Sequence, residues 1–71
     1  MESKRNKEMA ISVLKGMTYD NVGIVHNISR ERVSQITRRI LNRIDPKTIK
    51  KYDIRSFRLE SDRLIKLILK L

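Results

Sequence analysis

Seventy-one residues without a cysteine make one small domain with a marginal core, excluding a disulfide framework and a thiolate metal site. A single histidine adds too few ligands for zinc, so no metal or other cofactor is expected. Seventeen Lys and Arg against eight Asp and Glu give a net charge of +9, an excess that suits a polyanionic partner. A basic protein with no such partner is the alternative.

No repeat or low-complexity tract interrupts the chain, aromatic residues are few and β-type alternation is missing, so the elements read as helices. Residues 5 to about 15 put Met9, Ala10, Val13 and Leu14 on one helical face. Gly16 suits a left-handed cap after that helix, with Met17 folding back onto it. Thr18 is the expected N-cap of a second helix, YDNVGIVH, with Asp20 in its first turn and Met17 and Val22 as a hydrophobic staple. Asn27 tolerates left-handed backbone, Ser29 is a strong N-cap, and Ile28 and Val33 repeat the staple.

A third helix is predicted from Arg30 to about Ile44, stopped by Asp45-Pro46. Pro46 can itself open a short helix capped by Asp45. One or two helices are predicted from Asp53 to the end, with Ser61 a candidate cap. The tail SDRLIKLILKL carries more apolar residues than a surface helix needs, yet LIKLIL is too short to span a bilayer. The N-terminal MESKRNKE lacks the apolar stretch of a secretory signal, so the cytoplasm is the expected compartment.

Five arginines fall between Arg30 and Arg43. On a helical wheel Val33, Ile36, Ile40, Leu41 and Ile44 face one way, and Glu31, Gln35, Arg38 and Asn42 form a stripe on the other. Arg32, Arg39 and Arg43 make a second stripe along one flank. Hydrogen-bonding heads flanked by cations suit a major groove, whose base edges Arg, Gln, Asn and Glu can pair with while the flanking arginines neutralise phosphates. A solvated amphipathic helix is the plainer reading. The short helix and tight turn before it tilt the choice toward a helix-turn-helix, with Gly23 as the small residue that lets two helices cross closely.

The span MTYDNVGIVHNISRERVSQITRRILNRI resembles region 4, the promoter-binding C-terminal region of bacterial sigma factors. Members of that family read T-x-x-x-V-G-x-x-x-x-[IV]-[ST]-R-E-R-[IV]-R-Q-I. Thr18, Val22, Gly23, Ile28, Ser29, Arg30, Glu31, Arg32, Val33, Gln35 and Ile36 match, over roughly Met17 to Ile44. The resemblance implies a small all-α fold of about four to five helices. The chain is then a single domain over 1–71, with the helix-turn-helix at 18–44 and a C-terminal helical segment at 46–71.

It also implies base contacts by Arg30, Glu31 and Gln35 at a minus-35-type element, with Arg38 and Asn42 continuing their stripe. Arg32 matches a basic position near the DNA backbone, and Thr18, Ser29, Ser34, Arg39 and Arg43 complete the expected phosphate set. Two residues depart from the pattern. Ser34 stands where the family has a basic residue, which puts base preference or affinity in doubt. His26 stands at a normally apolar position, where a half-buried structural role is expected rather than a pH switch.

The functional expectation is a sequence-specific, double-stranded-DNA-binding transcription regulator without enzymatic activity. The chain has no room for the sigma region that melts the minus-10 element, so a stand-alone regulator from a phage or mobile element is expected. The alternative is a module that docks on bacterial RNA polymerase or a sigma factor, or half of a split sigma factor, with DNA contact secondary. Phe57, Leu64, Ile65, Leu67, Ile68 and Leu71 are the expected partner or homodimer surface. His26 lacks a partner nucleophile and no glycine loop could cradle phosphate, so catalysis is not expected. With Tyr19, Tyr52 and Phe57 as the only Phe, Tyr or Trp rings, base stacking on single strands is disfavoured.

Overall fold

A computed structural model describes residues 3–46 and 60–71. Those residues form four α-helices and no strand: α1 (Lys4–Leu14), α2 (Tyr19–His26), α3 (Arg30–Ile44) and α4 (Ser61–Leu69). The fold is all-α, and α1, α2 and α3 lie within about a residue of where the sequence places them.

Each of the first three helices starts on a hydroxyl cap. Ser3, Thr18 and Ser29 have extended backbone, and their side-chain oxygens accept from the amides of Asn6, Asn21 and Arg32 at 3.1, 3.1 and 3.2 Å. Each such cap satisfies an amide that the helix itself cannot, worth about 1 kcal/mol. Ser3 extends α1 one residue beyond the predicted start.

The ends of α1 and α2 share one geometry. After α1 the amide of Met17 donates to the Ser12 carbonyl and that of Gly16 to Val13, both at 3.1 Å. After α2 the amide of Ile28 donates to Gly23 at 2.9 Å and that of Asn27 to Ile24 at 3.3 Å. This paired pattern needs a positive φ at the second-last position. Gly16 supplies +112° and Asn27 supplies +56°. Helix α3 stops at Asp45, where the backbone leaves the helical region just before Pro46.

Helix α3 packs against the other three helices. Met9, Ala10, Val13 and Leu14 of α1 meet Val22 of α2, Val33, Ile36, Ile40 and Leu41 of α3, and Leu64 and Ile68 of α4 in one buried cluster. Ile44 is half-buried at its edge. Met17 and Ile28, the outer members of the two expected staples, pack on the core cluster that contains Val22 and Val33. Thr37 is fully buried on the same face of α3, and its hydroxyl has no hydrogen-bond partner.

Polar ties also join the helices. Arg5 on α1 donates to the His26 carbonyl at the end of α2, and His26 itself is half-buried. The Lys7 ammonium donates to the Leu71 carbonyl at 2.6 Å, joining α1 to the residues after α4. Arg63 donates to Asp45 at 2.9 Å and to Glu60 at 3.0 Å, so the first turn of α4 is fastened to the end of α3. Those hydrogen bonds, Asp45 first and Glu60 second, raise the pKa of a guanidinium that is charged at any accessible pH.

The C-terminal expectations need correcting. Ser61 is the first residue of α4 rather than its cap; Glu60 holds the cap position and makes no capping side-chain bond. Leu64 and Ile68, expected at a partner surface, are fully buried in this domain's own core, because α4 closes over α1 and α3. Ile65, Leu67 and Leu71 are half-buried against that core, and Leu69 is exposed. Phe57 and the short helix expected from Pro46 fall on or run into residues 47–59, outside the described residues.

Candidate nucleic-acid interface

The orientation of α3 is set by the turn that precedes it. A β-carbon added at Gly23 would lie 2.7 Å from the Ile28 carbonyl oxygen and 3.6 Å from the Arg30 amide. The close neighbour of Gly23 is therefore the turn backbone, not the side of the next helix as the sequence suggested. That contact seats the first turn of α3 against α2. Ser29 then caps α3 and Val33 anchors it in the core.

With the core face so fixed, the other face of α3 points to solvent. Arg30, Glu31, Gln35, Arg38 and Asn42, the expected base readers, are all exposed, as are Arg32, Arg39 and Arg43 on the flank. Arg30, Glu31, Gln35 and Arg38 line one shallow concavity on this face, together with Ser34 and Tyr19. Asn42 lies about one turn beyond Arg38 and does not line it. Thr18 and Ser29 are exposed at the N-termini of α2 and α3, their oxygens accepting the capping bonds. Ser34 is half-buried and lines the concavity with the expected base readers rather than lying on the flank with the arginines.

Tyr19 was not among the sequence-derived site residues. It is the first residue of α2, it packs against the core, and it walls this concavity from the side of the preceding helix. A signal was available: the first helix of such a unit crosses the backbone beside the groove, so its first turn lies next to the reading helix.

Electrostatics match the geometry. The exposed face of α3 carries five arginines against the single carboxylate of Glu31. In water each such charge is screened, but together they give a cationic face, the electrostatic footprint of a phosphate-backbone binder. Among the described residues no group of His, Asp and Glu could hold a metal ion, and no helix is long and apolar enough to cross a membrane.

A short capped helix, a turn with left-handed Asn27 and a longer arginine-bearing helix define a helix-turn-helix protein. The family model described as Sigma-70, region 4 matches residues 8–45, which is more than half of the chain and takes in most of α1 as well as α2 and α3. The chain belongs to this family. Its domains are non-enzymatic DNA-binding helix-turn-helix modules that also bind RNA polymerase. Comparison with curated proteins gives no match, and neither does comparison with solved structures.

Proposed function

We propose that this protein is a sequence-specific transcription regulator whose α3 enters the major groove of double-stranded DNA. Arg30, Glu31, Gln35 and Arg38 meet base edges, with Asn42 at the far end of the same stripe. Arg32, Arg39 and Arg43 on the flank, with Thr18 and Ser29 at the two helix N-termini, meet phosphates. The carrying observation is the concavity in which Arg30, Glu31, Gln35 and Arg38 converge on the face of α3 opposite the core.

The test is selection of bound duplexes from a random pool, repeated at two salt concentrations. One motif should be enriched at both, and a TTGACA-like motif would mark a promoter element whereas a palindrome would mark a homodimer. Gln35→Ala should relax preference at one base pair, costing about 1–3 kcal/mol there. Arg39→Ala should weaken binding to all sequences alike and lower the salt slope by about one. Equal loss of specific and non-specific binding in both variants sinks the assignment.

A second reading rests on a different observation. Ile24 and Val25 on α2 are 77% and 69% exposed, and Leu69 on α4 is 66% exposed. Apolar side chains this open suit docking on RNA polymerase, with DNA contact secondary. Retention of polymerase by the protein after nuclease treatment, lost in an Ile24→Ser/Val25→Ser variant, supports that reading; unchanged retention in the variant removes α2 from it.

A further inference from the structure

We propose that Tyr19 and Ser34 form a subsite within the reading concavity that takes the C5-methyl group of a thymine. The inference rests on the reading of α3 as a base-reading helix and names one base that it reads.

Six residues line the concavity: Tyr19, Arg30, Glu31, Ser34, Gln35 and Arg38. Four of them carry long polar heads suited to hydrogen-bonding edges. Tyr19 is the one that presents a large apolar surface, and Ser34 is the smallest of the six. Ser34 is half-buried, and its short side chain leaves room between the longer side chains that line the concavity with it. Tyr19 is also half-buried and packs against the core, which makes it a wall held in place rather than a surface ring.

Among the four base pairs, only thymine places an apolar group in the major groove, beside the O4 acceptor on the same edge. A recess with one apolar wall, next to the donors of Gln35 and Arg38, is complementary to that combination. Cytosine would offer an amino donor, which Glu31 in the same concavity could accept, but it has no methyl group for the Tyr19 wall, so the methyl contact is what favours thymine at this subsite. A long side chain at position 34 would fill the recess, so the serine there widens what this face of α3 can read.

The experiment uses the full chain and the best duplex from the random-pool selection, replacing each thymine in turn by uracil. Uracil keeps the hydrogen-bonding edge and removes only the methyl group. At one position the change should weaken wild-type binding about fourfold, the weight of one buried methyl, with no change elsewhere. Tyr19→Phe should keep that discrimination, because the ring remains.

Tyr19→Ala should bind the thymine and uracil duplexes alike. Tyr19 contacts the core, so Ser34→Lys, on the helix surface, is the independent variant. It fills the recess and should also equalise the two duplexes while raising overall affinity. If no thymine is sensitive, or if Tyr19→Ala and Ser34→Lys discriminate as the wild type does, the subsite is overturned and the base-reading assignment stands. If the selection enriches no sequence, base reading falls and the subsite falls with it.

Discussion

The turn after α1 and the turn after α2 are closed by the same two hydrogen bonds, yet they need a special residue for different reasons. After α1, Gly16 has φ of +112° and open space where a β-carbon would go. Its requirement is purely one of backbone conformation. After α2 the left-handed position is held by Asn27 at φ +56°, close to the centre of the left-handed region, where a short polar residue is tolerated. There the glycine lies four residues earlier, at Gly23, and its requirement is purely steric, since a β-carbon would meet the Ile28 carbonyl at 2.7 Å. The first turn joins two helices of a core. The second sets the start of α3, and there a single added carbon at Gly23 would collide with backbone.

The sharpest way to break this comparison is Gly23→Ala. Alanine favours the helix by about 1 kcal/mol over glycine, but the obstacle is backbone and cannot swing aside. Overpacking of this kind typically costs about 1–3 kcal/mol, and here it should outweigh the propensity gain and leave a net loss of about 1–2 kcal/mol. Urea unfolding would read that loss. DNA binding should suffer beyond it, because relief of the clash moves Arg30 and Glu31 at the start of α3. A variant that binds its selected duplex as the wild type does would show that the turn does not set the reading geometry.

Gly16→Ala comes next. No atom obstructs it, so the whole effect is strain at a positive φ, about 1 kcal/mol or slightly more. Unlike Gly23→Ala it should lower the unfolding midpoint while leaving the thymine–uracil discrimination and base preference of the folded protein intact. Matching losses of sequence preference in the two glycine variants would erase the distinction between the turns.

Thr37→Val separates stability from aim in the opposite direction. Thr37 is fully buried on α3 with an unpartnered hydroxyl, and a buried polar group in that state carries a penalty of about 1–3 kcal/mol. Valine keeps the shape and removes the penalty, so the variant should be more stable by about 1 kcal/mol, with DNA affinity unchanged. A midpoint below the wild type's would mean that the hydroxyl is satisfied in solution.

What could be read from the chain beforehand follows the same division. Caps, staples and the stop before Pro46 are local, each decided within about five residues, and they place α1, α2 and α3 correctly. The amphipathic split of α3 is local too, which is why the exposure of Arg30, Glu31, Gln35, Arg38 and Asn42, and of the flanking arginines, was legible. Thr37 was missed although it lies four residues from both Val33 and Leu41 on the core face; its polar type hid a position that spacing alone assigns. The neighbour of Gly23, the tie from Lys7 to the carbonyl of Leu71, and the place of Tyr19 beside Ser34 depend on how separate elements meet. No pattern in one stretch carries that information. The burial of Leu64 and Ile68 is of the same kind, since an apolar face looks alike whether its cover is the same domain or a partner.

The smallest effect tests whether Asn27 matters as a side chain or only as a permissive residue. Asn27→Gly keeps the left-handed conformation and both turn hydrogen bonds, which belong to backbone atoms. Glycine relieves the residual strain at this φ but adds freedom to the unfolded chain, and the two terms oppose each other with similar size. Stability should therefore stay within about 0.5 kcal/mol of the wild type. Asn27→Ala, which keeps the strain and lacks the local hydrogen-bonding head, should lose about 1 kcal/mol. Sensitivity of Asn27→Gly comparable to that of Asn27→Ala would give the amide a role of its own. The second turn would then depend on a polar contact in addition to the close approach at Gly23.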